Sequence, residues 1–331
     1  MTVQGTKRTA GYRCAAAVCF GVVLLSSPAA DAQPGLSSRY YRDNGIEQDP
    51  DVIFAENFET GTPSDLVTRW TDVKNAIGMS YVGDVPTESG GTRALEMTSI
   101  GGQNTGGHLY RRLSAGHDEL YLRYYVKYAS GGAYHHCGGY IGGYNPPTNW
   151  PQGGAGIRPT GDDRFSIGAE PVEQSLRFDF YVYWMRMRGS PDNNFWGNDF
   201  IQDDNLRVVV DQWMSVEVMV KMNDPVHGMS GELALWVNGN QVMHLGEGFP
   251  NGNWVWDSFH PDPTGDPFEG FQWRNVTDLS INWIWLLHYV TQDPAGYVGK
   301  IWYDDVVLAT SYIGPINTSS PAVPTGLRIV R

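Results

Sequence analysis

"ELALWVNGNQVMHL", residues 232 to 245, is the clearest indication of fold class in this chain. Two apolar runs flank Asn238-Gly239, and an Asn-Gly pair in that setting is the strongest short-range indication of a β-hairpin. The run before it, "WMSVEVMVKM" (213–222), alternates with the period of two that is typical of a strand with one buried face. The residues of that buried face are Met214, Val216, Val218, Val220 and Met222.

Strand-like runs recur along the chain, separated by turns rich in the 40 glycines and 20 prolines. They are "VIFAENFE" (52–59), "LYLRYYVKY" (120–128), "LRFDFYVYWMRMR" (176–188), "SINWIWLLHYV" (280–290) and "KIWYDDVVLATSYI" (300–313). This pattern predicts one all-β, two-sheet sandwich over residues 51–316, after a polar lead-in (33–50) and before a C-terminal tail (317–331). Two long insertions, Gly138–Asp163 and Glu247–Trp273, are rich in Trp, Pro, Asn and Gly, which favours ordered walls around a cleft.

The first 32 residues have the layout of a secretory signal. Lys7, Arg8 and Arg13 precede an apolar run, and Ala30 and Ala32 fit the small-residue cleavage rule. We therefore expect export and cleavage after Ala32. Of the three cysteines, Cys137 alone would remain, so no intrachain disulfide is expected.

The formal net charge of −13 disfavours nucleic acid and anionic membranes as partners. An acidic polysaccharide remains compatible with it, because a cleft can be locally basic on an acidic protein. The chain also has 12 Trp and 18 Tyr, whose rings either fill the core or stack on sugars. We expect a monomer that binds a polysaccharide.

Two strands carry an unusual polar face. Alternation in "LYLRYYVKY" places Tyr121, Arg123, Tyr125 and Lys127 together, and alternation in "LRFDFYVYW" places Arg177, Asp179, Tyr181 and Tyr183 together. Cations interleaved with phenols suit the floor of a trough for a sugar chain, so we predict that the two faces share one surface. The alternative is a pair of ordinary solvated sheet faces.

"YHHCGGYIGGYNPP" (134–147) lies near the middle of the chain. Adjacent strand residues point to opposite faces, which argues against one metal ion bound by both His135 and His136. The glycines predict close packing or a sharp bend that lifts Tyr140 and Tyr144 over the sheet, with one histidine facing the cleft.

The stretches "FAENFETG" (54–61), "GELALWVNGNQV" (231–242) and "KIWYDDVVLA" (300–309) resemble the concanavalin A-like lectin/glucanase jelly rolls. The resemblance spans about residues 52 to 313. Within that superfamily the order of features is most similar to the jelly-roll polysaccharide lyases of the alginate and glucuronan type. "HHCGGYIGG" occupies the place of their Gly-Lys-Leu-Pro-Gly loop and lacks its lysine.

This resemblance implies a two-sheet jelly roll that cuts a uronate-containing glycan by β-elimination. Tyr or His would then exchange protons and Arg would bind the carboxylate, with no cofactor required for the chemistry. The candidate catalytic residues are His135, His136, Tyr140, Tyr183 and His288. The candidate substrate-binding residues are Arg123, Tyr125, Lys127, Tyr144, Trp150, Arg158, Arg177, Asp179, Tyr181 and Trp254.

Two other functions compete with a lyase. A retaining glucanase on this fold needs two carboxylates on one strand face, and "EPVE" (Glu170, Glu173) has the wrong spacing. A lectin-like module without catalysis would suit the Trp-rich loops "NPPTNWPQGG" (145–154) and "GNWVWDSFHPDP" (252–263).

The resemblance also implies a structural calcium where the first and last strands pair. Glu59, Asp304 and Asp305 supply oxygen ligands of the type that calcium prefers. The alternative is that the two aspartates cap a turn or accept a backbone amide.

Overall fold

The computed structural model describes residues 34–172 and 176–319. The predicted signal (1–32) and most of the predicted tail lie outside these residues. The strands are β1 (Val52–Glu56), β2 (Asp72–Lys74), β3 (Met79–Val82), β4 (Ala94–Ile100), β5 (Gly106–His117), β6 (Glu119–Tyr128), β7 (His136–Tyr144), β8 (Arg164–Val172), β9 (Arg177–Tyr183), β10 (Met214–Lys221), β11 (Glu232–Val237), β12 (Asn240–Leu245), β13 (Asn251–Val255), β14 (Ser258–Pro261), β15 (Asp266–Pro267), β16 (Ile281–Tyr289) and β17 (Val298–Ala309). Short 3₁₀ helices cover Leu36–Arg39, Ile46–Gln48, Pro63–Thr68 and Ala76–Gly78.

Two antiparallel sheets contain most of these strands. The eight-stranded back sheet runs β12-β11-β10-β6-β17-β4-β3, with β1 also paired to β17. The six-stranded front sheet runs β2-β5-β16-β7-β8-β9. The all-β sandwich prediction is confirmed. The hairpin at Asn238-Gly239 is confirmed as well, since both residues have the positive φ angles that a two-residue turn requires.

The inner faces of the two sheets form one core. The predicted inward face of β10, from Met214 to Val220, is buried there. Three buried tyrosines of the back sheet donate hydrogen bonds to front-sheet carbonyls: Tyr124 to Ala169 (3.1 Å), Tyr128 to Cys137 (2.8 Å) and Tyr303 to Leu287 (2.6 Å). A buried phenol needs such a partner, and these bonds fix the position of one sheet on the other.

The glycine-rich stretch is a strand and not a turn. Residues 136 to 144 form β7 in the middle of the front sheet, so the predicted insertion begins only at Asn145. Gly139 faces the core, where an added Cβ would lie 2.3 Å from the Tyr124 ring. The glycine therefore provides the space in which Tyr124 reaches the front sheet. The second predicted insertion, 247–273, contains a small three-stranded sheet of β13, β14 and β15.

The prediction that β6 and β9 share one surface is wrong, because β6 belongs to the back sheet and β9 to the front sheet. Alternation assigned the faces of each strand correctly, but it carries no information on which strands become neighbours. The polar face of β6 lies on the outside of the back sheet, so both sheets separate it from the polar face of β9.

The two ends of the described chain cover that outer face of the back sheet. Arg123 is fully buried, and its guanidinium donates to Ser37 Oγ (2.7 Å) and to the Gly314 carbonyl (3.1 Å) and pairs with Asp43. Tyr125 accepts a bond from the Ile316 amide (3.1 Å). These side chains hold the 34–50 segment and the segment after β17 against the sheet.

Lys127, the third predicted cation of this face, is also occupied. It pairs with Asp84 and lies 4.3 Å from the centre of the Trp302 ring. Arg123, Tyr125 and Lys127 therefore do not lie in a substrate trough. Within the described residues, no helix is long and apolar enough to cross a membrane.

Candidate functional site

A cleft of about 570 Å³ opens on the outer face of the front sheet. Its floor consists of alternate side chains from successive strands, and its wall is the loop from Trp150 to Ala155. Seven predicted site residues line it: His136, Tyr140, Tyr144, Trp150, Tyr181, Tyr183 and His288. A concave, largely aromatic pocket with a few polar groups is the usual form of a binding or active site.

Glu170 is buried beneath the floor of the cleft, between two β7 side chains that line it. Its carboxylate accepts a hydrogen bond from His136 Nδ1 at 3.0 Å and another from the Tyr140 hydroxyl. The register explains this arrangement, because Glu170 faces Gly138, which lies between His136 and Tyr140 on the same side of β7. An added Cβ at Gly138 would lie 2.2 Å from the Ala169 carbonyl oxygen.

This geometry determines the protonation of His136. A carboxylate only accepts, so Nδ1 carries the hydrogen and Nε2 of the neutral ring is left as a proton acceptor. Burial lowers the pKa of His136, but the charge and the hydrogen bond of Glu170 outweigh it, and the pKa is raised. Burial next to Glu170 raises the pKa of Tyr140, which therefore stays protonated.

Two phenols from β9 lie beside this group. The Tyr181 ring is 4.8 Å from the His136 ring, and the Tyr181 and Tyr183 hydroxyls are 3.1 Å apart. Burial, and for Tyr181 the neighbouring Tyr183, raises the pKa of both. His136 thus lies beside Tyr181, the nearer of two protonated phenols that are bonded to each other, which is an arrangement of one base and one acid.

Aromatic rings line the rest of the floor. Tyr289 is 38% exposed and stacks over His136 at 6.1 Å, and Trp285 packs against Tyr140 at 5.4 Å. Trp150, in the wall, is 59% exposed. Exposed rings of this kind can stack on a ligand ring, so the floor is suited to a sugar chain.

The wall is held to the sheet by cleft residues. The Gln152 amide donates to the Tyr144 hydroxyl (3.0 Å), and burial raises the pKa of Tyr144 to about 12. Arg164 donates to the carbonyls of Gly154 (3.2 Å) and Ile157 (2.7 Å). The loop is therefore an ordered side of the cleft, as its composition predicts.

Gly168 in β8 leaves the space that the Tyr140 ring occupies. A Cβ at this position would lie 2.4 Å from Tyr140 Cε1, so Gly168→Ala must displace the ring and its bond to Glu170. We expect the free energy of unfolding to fall by about 1–3 kcal/mol, the usual cost of overpacking, measured by urea denaturation. Gly153→Ala is the control, since its Cβ would meet nothing within 4 Å. A cost for Gly168→Ala that persists in a Tyr140→Ala background would contradict this explanation.

Several predicted site residues lie elsewhere. Asp179 is fully buried and accepts the amides of Phe200, Ile201 and Gln202 at 2.9 Å, so it anchors the 200–202 segment; Arg177 pairs with it at 2.7 Å. Their strand faces the cleft only from Tyr181 onwards. The predicted roles of Arg177 and Asp179 in substrate binding do not agree with these positions.

The other two predicted histidines differ from His136. His288 borders the cleft but is only 1% exposed, because its ring lies on the core side of β16. There Nδ1 is 3.4 Å from Cys137 Sγ, and burial lowers the pKa of His288 to about 4. It is a poor candidate for a catalytic acid. His135 precedes β7, so strand alternation does not apply to it, and its ring packs against the His136 ring, with 3.9 Å between the ring centres.

Sequence reasoning missed Glu170 as a site residue, and it also missed a second pair at the far end of the cleft. There His108 Nε2 is 3.0 Å from Asp72 Oδ2, next to the exposed Lys74.

The sequence does contain a signal for Glu170. In β8 the residues Arg164, Ser166, Gly168 and Glu170 alternate with the apolar residues Phe165, Ile167 and Ala169. Arg158 and Trp254 lie outside the cleft and are described below.

The three predicted calcium ligands fit a cation only in part. Asp304 and Asp305 form a β-bulge in β17, and each has a buried Oδ2 without a partner. Burial and their mutual repulsion raise the pKa of Asp304 to about 9. Glu59, however, uses both oxygens to accept bonds from Thr92 and Arg93. Across the described ranges, no group of three or more His, Cys, Asp or Glu side chains is placed to hold a metal.

The calcium site therefore stays a prediction, with Asp304 and Asp305 as its remaining candidate ligands. We expect Ca²⁺ to raise Tm relative to EDTA, because a ligand at 100 times its Kd stabilises the folded state by about 2.7 kcal/mol. Thermal unfolding of the wild type and of Asp304→Asn measures this. An unchanged Tm in the wild type would argue against the site, and so would an equal rise in the variant.

No family model matches the sequence, and no curated protein matches it. Solved structures do match at low identity. The marine PL-14 alginate lyase from Aplysia kurodai shares 14% identity and a TM-score of 0.54, over 78% of this chain and 99% of that one. A variant of the alginate lyase Aly36B in complex with alginate tetrasaccharide shares 14% identity and a TM-score of 0.51, over 79% and 98%. The chain is a β jelly roll. Its fold is that of these jelly-roll polysaccharide lyases.

Proposed function

We propose that this chain is an exported polysaccharide lyase that cleaves a uronate-containing glycan by β-elimination in the front-sheet cleft. The observation that carries the proposal is the His136–Glu170 pair beside Tyr181 and Tyr183. The fold shared with alginate lyases supports the same reaction class. Export is supported by the signal-like pattern of the first 32 residues.

The reaction needs one base and one acid. His136 Nε2 removes the proton α to the uronate carboxyl group, and the electron pair of that C–H bond forms the new C=C bond. The glycosidic C–O bond at the β carbon breaks, and the Tyr181–Tyr183 pair protonates the leaving oxygen. No water is consumed, so the products are a new reducing end and an unsaturated sugar.

The pairing with Glu170 prepares His136 for this step. The carboxylate fixes which ring nitrogen holds the hydrogen and stabilises the imidazolium that forms when the base accepts a proton. Arg164, which lines the cleft and pairs with Asp163 at 3.0 Å, contacts the uronate carboxylate through its guanidinium group.

Hydrolysis through two carboxylates is not supported by the cleft. Among the described residues that line the cleft the carboxylate is Asp72 on β2, and Glu170 on β8 lies buried beneath the floor. These strands are four positions apart in the front sheet, which separates them by about 19 Å at roughly 4.8 Å per strand. Glycosidases need about 5–10 Å between the two groups.

The decisive experiment is incubation with a panel of uronate and neutral polysaccharides. We expect ultraviolet absorbance of unsaturated sugars to rise together with reducing ends on at least one uronate polymer. New reducing ends without that absorbance would indicate hydrolysis. Binding without either signal would favour the alternative, a carbohydrate-binding protein that uses the exposed rings of Tyr289 and Trp150.

The rate of cleavage should depend on the ionisation of His136. His136 acts as a base only when neutral, and its pKa is raised, so the rate should increase with pH through a value above 6.5. Glu170→Gln removes the charge that raises this pKa, so the rising limb should move to lower pH while the maximal rate falls. A pH profile of kcat/KM measures both effects, and a rising limb at the same pH in the variant would contradict the assignment.

A further inference from the structure

A second hollow, of about 540 Å³, lies beyond the cleft and is lined by charged and flexible side chains. Its lining residues are Arg158, Met185, Arg186, Arg188, Met229 and Glu269. We call it the arginine groove. Three of its six side chains are cationic and one is acidic, on a chain whose formal net charge is −13.

Two of these guanidinium groups lack a carboxylate partner among the described residues. Arg188 pairs with Glu269 at 3.0 Å, whereas Arg186 donates to the neutral Gln272 side chain at 2.8 Å. Arg158 lies over the Phe195 ring at 5.2 Å. The groove therefore keeps local positive charge that the protein does not neutralise, and such charge attracts anionic groups.

The arginines are also positioned before any ligand arrives. Arg188 packs over the Trp254 ring at 5.3 Å, and Trp254 Nε1 donates to Glu269 at 3.1 Å. Stacking of this kind restricts the side chains, so less conformational entropy is lost when a ligand binds. Arg158 and Trp254, which the sequence predicts as substrate-binding residues, belong to this part of the molecule rather than to the cleft: Arg158 lines the groove, and Trp254 contacts its residues Arg188 and Glu269.

Two segments of chain link the groove to the cleft. Arg158 follows the wall residues Trp150 to Ala155, and Arg186 comes three residues after the cleft residue Tyr183. Three residues span at most about 11 Å of extended chain. A polymer that occupies the cleft near Tyr183 is thus within reach of the groove.

We propose that the arginine groove binds anionic groups, carboxylates or sulfates, of the same polysaccharide at sugars beyond the point of cleavage. The inference rests on the proposed function, because it assigns the groove to the substrate of the cleft. Guanidinium groups form paired hydrogen bonds with such anions. The substrate is then an acidic polymer longer than the cleft alone accommodates.

Calorimetric titration of a His136→Ala protein, which binds without turnover, tests the proposal. The ligands are acidic oligosaccharides of about three and about eight units, in carboxylated and sulfated series, with neutral ones for comparison. The longer acidic ligands should bind more tightly. Adding Arg158→Ala and Arg186→Ala should weaken their binding about tenfold, as expected for the loss of two exposed charged contacts, and should leave the short ligands within about twofold.

The matched control replaces Lys221 and Arg207, two exposed cations outside the groove, with alanine. The control removes the same charge and should not change the preference for long ligands. A length preference that survives the loss of Arg158 and Arg186, in a wild type that does cleave an acidic glycan, would overturn this inference alone. A wild type that neither binds nor cleaves any acidic glycan would overturn the proposed function as well.

Discussion

Replacing His136 with alanine should lower the rate of polysaccharide cleavage by about 10²- to 10⁴-fold, the usual contribution of a positioned base. His136 is the side chain in the cleft that combines a free ring nitrogen, a carboxylate partner at 3.0 Å and a neighbouring phenol. Substrate affinity should change much less, because the aromatic floor and the loop wall remain. The measurements are kcat from unsaturated-product absorbance and Kd from titration.

His244→Ala is the matched control for that variant. His244 Nε2 also pairs with a carboxylate, Glu232, at 2.8 Å, but it lies on β12 at the edge of the back sheet. The control should retain the wild-type rate. If His136→Ala keeps more than about a tenth of the wild-type rate, His136 is not the base, and Tyr181 becomes the next residue to test.

Replacing Arg123 with methionine should destabilise the fold by about 3–5 kcal/mol, the typical cost of breaking a buried ion pair by removing one partner. The change leaves Asp43 buried without its cation and removes the donor to Ser37 and Gly314. The change also affects Glu217. Burial raises the pKa of Glu217 to about 7, and the positive charge of Arg123 opposes this rise.

The Arg123 defect should depend on pH. In the folded protein the pKa of Glu217 lies above its ordinary value of 4.5. The contribution of protonated Glu217 to stability is therefore complete below about pH 4.5 and is lost as the pH rises through about 7. Without Arg123 the ionised form is still less favourable, so the loss should be larger at pH 8 than at pH 5. Urea unfolding at both values measures it.

Lys221→Ala, which breaks an exposed pair with Glu232, provides the comparison. Its cost should stay below about 1 kcal/mol at either pH. An Arg123→Met cost no larger than that of Lys221→Ala would show that the outer face of the back sheet does not need its buried cation.

The strands could be predicted from sequence because side-chain alternation is a local property. The inward face of β10 and the turn at Asn238-Gly239 depend only on neighbouring residues, and both predictions are confirmed. The order of strands within the sheets depends on the whole topology. For that reason alternation alone predicts one trough for Arg123 and Tyr181, although the two lie on opposite sheets.

The sequence located part of the cleft for a similar reason. Residue type and strand face predict His136, Tyr140, Tyr181 and Tyr183 as site residues, and the structure brings them together. Glu170 was missed because it was considered only as half of a carboxylate pair with Glu173. Its position opposite Gly138 is a matter of register between two strands, which neither strand reveals alone.

The segment 34–50 lies on the outer face of the back sheet, whereas the cleft opens on the outer face of the front sheet. Stacked sheets are about 10 Å apart, so a dye or a resin bead coupled to the surface of that segment would be separated from the cleft by the full thickness of both layers. Immobilisation through this side would orient the molecules on a column with their clefts toward the mobile phase.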